Sequence, residues 1–130
     1  MKEQYVNIFK QEIEFSLVHS QEINKLLLER LINLNDSLGD ISKFDYDNYS
    51  FKLTLNTIVN VDNNFILVDF IDFIKFNSEL LIKDKDKSIY LSIYIWSKES
   101  TDTPQIDFAD DVLYLLGRIG VQLSFVVYTY

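Results

Sequence analysis

Twice along this chain the hydrophobic pattern switches from a period of two to a period of about 3.6, and no other feature constrains the fold as strongly. In the first unit, Gln11 to Asn35, Ile13, Phe15 and Leu17 alternate with Glu12, Glu14 and Ser16, giving a strand with one apolar and one solvated face. From Gln21 the apolar positions become Ile23, Leu26, Leu27, Leu31 and Leu34, the stripe of an amphipathic helix. Ser20 is placed to cap that helix, and Gly39 to let the chain leave it at positive φ.

The second unit runs from Ser88 to Tyr130. Ile89, Leu91, Ile93 and Ile95 share one strand face, and Tyr90, Ser92, Tyr94 and Trp96 share the other. Thr103 and Pro104 suit an N-cap and first helical position, because proline lacks the N–H that goes unpaired there. Phe108, Ala109, Val112, Leu115, Leu116 and Ile119 then form a helical apolar side, opposite Asp107, Asp110, Asp111, Tyr114 and Arg118. Gly120 ends this helix, and Val121, Leu123, Phe125 and Val127 begin a last strand whose other face carries Gln122, Ser124, Val126, Tyr128 and Tyr130.

Between the two units, Phe51, Leu53, Leu55, Val59 and Val61 mark a further strand, and Asp62, Asn63 and Asn64 a turn. The simplest continuation is a hairpin, with Phe65 to Phe76 as its second strand. The spacing of Asp69, Asp72 and Lys75 every three residues argues instead for a helix there, so strand is favoured over helix only narrowly. Lys83 to Lys87 is a mixed-sign loop.

Strands with one apolar face and helices with one apolar stripe are satisfied together by two layers. The expected fold is a single α+β domain over 1–130, a two-layer sandwich of order β-α-β-β-β-α-β, with a mainly antiparallel sheet and two helices on one face. At 130 residues and 48% hydrophobic content, one core burying roughly two thirds of the unfolded chain's surface is expected.

The other sheet face is then open and carries Tyr90, Tyr94, Trp96, Tyr128 and Tyr130, residue types that concentrate binding energy at protein interfaces. Alternatively these rings are there for their strand propensity, or a second subunit covers them. A second candidate surface is acidic: Asp102, Asp107, Asp110 and Asp111, extended by Glu99 and by Tyr114, near the start of the last helix. Those carboxylates also complement the helix dipole, which explains them without a partner.

A net charge of −8 repels phosphates, so neither nucleic acid nor an anionic membrane is an expected partner. No apolar run approaches the length of a membrane span. The absence of Cys excludes disulfides and thiolate metal sites and fits the cytoplasm, as does an N-terminus without the continuous apolar region of a secretory signal. His19 is the only imidazole and has no catalytic partner at a recognisable spacing. Asp45-Tyr46-Asp47-Asn48 and Asp84-Lys85-Asp86-Lys87 begin like calcium loops but lack the glycine at position six and the glutamate at position twelve. Gly39, Gly117 and Gly120 match no phosphate-binding loop. Paired carboxylates such as Glu12 and Glu14, or Asp110 and Asp111, suit acid–base work only if burial shifts one of them. The expectation is a protein that is not an enzyme and uses no cofactor or metal.

The strand and helix of Ile13 to Leu34, the strand Ser88 to Trp96 and the ending Asp107 to Tyr130 together resemble small acidic immunity proteins of bacterial toxin systems, including contact-dependent inhibition. The likeness is one of general form over most of the chain and transfers no individual residue. It implies a cytoplasmic inhibitor that binds one cognate toxin domain, in many such systems a basic nuclease. The alternative is a small adaptor or phage-type accessory protein that self-associates, as a homodimer, through its aromatic face or its terminal strand edge.

Overall fold

A computed structural model of the chain describes residues 8–60, 65–83, 86–97 and 108–129. Five strands form one open sheet in the order β2-β3-β1-β4-β5. They are β1 (Ile8–His19), β2 (Ser42–Tyr46), β3 (Ser50–Asn60), β4 (Lys87–Ser97) and β5 (Val121–Thr129). The helices are α1 (Lys25–Leu38), α2 (Phe65–Phe76), α3 (Ser78–Lys83) and α4 (Asp110–Ile119). All neighbouring strands are antiparallel except β4 and β5, which are parallel. Parallel neighbours need a crossover connection, and α4 lies in it.

The long central strand β1 sets the register. Ile13 sits between Leu55 of β3 and Ile93 of β4, and Phe15 between Leu53 and Leu91. These side chains therefore line one face, and all six are buried. Each helix lays its stripe on that face: Leu27 and Leu31 from α1, Leu67, Phe70 and Ile74 from α2, Leu81 from α3, and Val112, Leu116 and Ile119 from α4. At the centre, the Phe15 ring meets Phe70 edge-on at 5.2 Å and Phe51 at 5.5 Å. Both expected layers are present, with four helices rather than two on the covered face.

The segment expected as a second hairpin strand is helix α2. Leu67, Phe70 and Ile74 are buried at helical spacing, while Asp69, Asp72 and Lys75 are exposed. The three-residue charge spacing, not the β-branched and aromatic composition, determines the element, because a strand would have put at least one of these charges into the core. The turn expected at 62–64 lies outside the described residues. Helix α1 begins later than expected: Asn24, not Ser20, is its N-cap, its Oδ1 accepting from the N–H groups of Leu26 at 2.8 Å and Leu27 at 3.4 Å. Gly39 and Gly120 end their helices at φ +66° and +83°, as their placement implied.

Strand β2 was not anticipated. It follows a 3-10 turn at Gly39–Ile41 and joins β3 through Asp47, whose Oδ1 accepts from the N–H groups of Tyr49 (2.7 Å) and Ser50 (2.8 Å). The Tyr49 N–H, followed by the Ser50 N–H and hydroxyl, holds the Asp47 carboxyl below its ordinary value against an opposing push from desolvation. Helix α3 was not anticipated either; Asn77 makes the break before it, its amide donating to the Phe73 carbonyl at 2.9 Å. The cap expected at Thr103 and Pro104 lies outside the described residues, and the described helix α4 starts at Asp110 with Ala109 as its N-cap. Among the described residues no helix is long and apolar enough to cross a membrane.

Candidate aromatic contact surface

The face of the sheet that no described helix covers carries rows of side chains set by strand register. At the end of the sheet nearest the β1 N-terminus, the cross-strand row reads Ile58, Lys10, Trp96, Tyr128; the next reads Asn56, Glu12, Tyr94, Val126. Towards the other end, small polar residues take over in the row Thr54, Glu14, Ser92, Ser124. Period-2 alternation puts these residues opposite the core, and none of those described is buried.

In the first two rows the rings form one stack. Trp96 and Tyr128 lie 5.3 Å apart and within 17° of parallel, and Tyr94 stacks on Trp96 at 6.2 Å and 29°. The Lys10 ammonium sits 5.1 Å from the centre of the Trp96 ring, in cation–π range. Mutual stacking half-buries Tyr94 and Trp96, whereas Tyr128 at the edge strand remains 45% exposed. Because the rings brace one another, they lose less rotamer freedom when a partner covers them than isolated side chains would. Tyr90 is on the same face, in the row of Ser16 and Gln122, two rows from the stack.

The acidic candidate is elsewhere. Asp110, Asp111 and Tyr114 belong to α4, in the helical layer on the opposite side of the sheet. Asp111 is paired with Lys75 of α2 at 3.7 Å, and Tyr114 lies 6.0 Å from the Arg118 guanidinium. The structure thus gathers Tyr94, Trp96 and Tyr128, keeps Tyr90 on their face, and separates them from the aspartates. Tyr130, Glu99, Asp102 and Asp107 lie outside the described residues. The charge is divided the same way. On the open face Glu12, Glu14 and Asp45 are offset by Lys10, Lys43 and Lys52, including a Lys52–Glu14 pair at 3.4 Å, while carboxylates outnumber cations on α2 and α4.

Two features of the surface escaped the sequence pattern. Lys10 belongs to the stack only because β1 pairs with β4, which no local spacing reports. On the helical layer, Phe76 is 78% exposed beneath Arg30, whose guanidinium lies 5.3 Å from the ring and whose Nη1 donates to Asn77 Oδ1 at 2.6 Å. That pairing was hidden by the strand expectation for 65–76.

His19 is buried, and its Nδ1 accepts from the Gln21 N–H at 2.8 Å, so it closes the turn after β1. Among the described residues no three His, Asp or Glu side chains cluster in a way that would hold a metal ion. Compared with protein-family models, curated proteins and solved structures, the chain matches nothing.

Proposed function

We propose that this protein is a non-catalytic inhibitor of the immunity type, which binds a basic toxin domain through the open face of its sheet. The observation that carries the proposal is the braced stack of Tyr94, Trp96 and Tyr128 on the sheet face that no described helix covers. Rigid, amphipathic rings at a surface are the side chains from which protein interfaces draw most of their energy. A charge-balanced contact face in a chain of net charge −8 separates two tasks. The field of the whole molecule draws a cationic partner in, and the aromatic stack holds it. The expected partner is a nuclease-type domain, and the expected compartment is the cytoplasm, where such a domain meets its substrate.

The test is co-expression with the basic C-terminal domain encoded by an adjacent reading frame. A stoichiometric complex that abolishes that domain's activity, with an association rate that falls steeply as salt rises, is the expected result. Full toxin activity in the presence of excess purified protein would refute the assignment.

A further inference from the structure

We propose that the free edge of β5 pairs antiparallel with β5 of a second copy of this chain, joining the two sheets into one. The two edges of the sheet differ. β2 is five residues long and carries Lys43 and Asp45, an ion pair at 3.8 Å, devices that discourage edge pairing. β5 is nine residues long, Val-Gln-Leu-Ser-Phe-Val-Val-Tyr-Thr, with no charge and no proline. Along the side away from β4, no described strand pairs with its backbone groups.

The helical layer also stops short of this edge. Leu123 and Phe125 point to the same side as Leu91 and Ile93, their partners in β4, which are fully buried. Yet Leu123 is 44% and Phe125 46% exposed. On α4, Asp111 faces Lys75 of α2, and Leu115 and Arg118 face α3. Leu113, about 200° round the helix from Asp111 at 3.6 residues per turn, is on the opposite flank; it is 47% exposed. Leu113, Leu123 and Phe125 thus mark the border of the core towards the edge.

A second copy is the occupant this edge fits. A two-fold axis perpendicular to the sheet through Phe125, the middle residue of β5, sets Phe125 beside its counterpart, Leu123 opposite Val127 and Val121 opposite Thr129. The same axis keeps both helical layers on one side of the joined sheet, so the exposed apolar side chains of each copy close over those of the other. Two chains of charge −8 repel each other over most of their surfaces, but this strand brings no like charges together. The symmetry also runs the two α4 helices antiparallel, so the positive first-turn end of each helix dipole lies nearer the negative last-turn end of the other than its own kind.

The pairing is tested on the chain alone, without any toxin domain, so its outcome is independent of the inhibitor proposal. Sedimentation over a concentration series should show the mass rising from monomer to dimer, and Phe125→Lys should weaken that association by at least about tenfold by placing two ammonium groups at the axis. Circular dichroism confirms that the variant folds. The chain has no cysteine, so Phe125→Cys supplies a single thiol that should form a disulfide-linked dimer under mild oxidation, because cross-strand Cα atoms lie within disulfide reach. Ile58→Cys, on the open face of β3, should not. A monomer at every concentration, a dimer unaffected by Phe125→Lys but dissolved by Trp96→Ser, or equal cross-linking of the two cysteine variants would each overturn the proposal.

Discussion

Gln11 provides the sharpest stability test. Its side chain is 0% exposed, on the core side of β1 between Phe9 and Ile13, beside Thr57 of β3 and Ile95 of β4. Neither its Oε1 nor its Nε2 has a hydrogen-bond partner among the described residues. A buried polar group left unpaired costs about 1–3 kcal/mol, whereas an apolar replacement of the same shape is neutral or favourable. Methionine matches glutamine in length and fills irregular space without the amide. Gln11→Met should therefore stabilise the fold by about 1–3 kcal/mol, and in a domain of this size each kcal/mol raises Tm by roughly 3–5 °C. Urea unfolding followed by circular dichroism should show a higher midpoint at unchanged m-value, as expected when stability changes but the area exposed on unfolding does not. Gln11→Ala should be less stable than Gln11→Met, because it leaves a cavity. A lower midpoint for Gln11→Met than for the wild type would refute the reasoning and mean that the amide is satisfied in the folded protein.

Other substitutions probe local backbone and charge. Gly117→Ala in α4 meets nothing within 4 Å and should stabilise by about 0.5–1 kcal/mol, whereas Gly120→Ala at φ +83° should destabilise by about 1–2 kcal/mol; opposite shifts in thermal midpoint check the pair. Asp47 has a depressed carboxyl pKa in the folded protein, so its contribution is present above the unfolded carboxylate value and is lost as pH falls through the folded one. The difference in urea midpoint between wild type and Asp47→Ala should therefore be clear at neutral pH and shrink as the pH falls below the ordinary carboxylate range. Leu91→Ala, in the fully buried centre of β4, should cost about 2–5 kcal/mol in the same assay.

The elements that could be read from sequence are those with a single clean period. β1, β3, β4 and β5 alternate, and α1 and α4 carry stripes, so the two layers and the open aromatic face followed directly. Segment 65–76 is apolar almost throughout, and both strand and helix bury such a run; only the spacing of its three charges separates them. β2 is short, with Phe44 and Tyr46 as its only apolar pair, and it exists because β3 offers it an edge. The aromatic site was legible as a set of residue types on one face. Its stacking and the place of Lys10 depend on which strands become neighbours, which is a long-range outcome. The exposure of Leu123 and Phe125 was not legible either, since it depends on where the helical layer ends and not on any property of β5 itself.

The claim that the stacked rings on the open sheet face form the binding surface is tested most directly by calorimetric titration of the basic toxin domain into wild-type protein and into Trp96→Ser and Tyr128→Ser. Truncating a ring at the centre of an interface costs about 2 kcal/mol or more, so each variant should bind at least about 30-fold more weakly while keeping its fold. Unchanged affinity in both variants, with binding lost instead on neutralising Asp110 and Asp111, would contradict the account and move the contact to the helical layer.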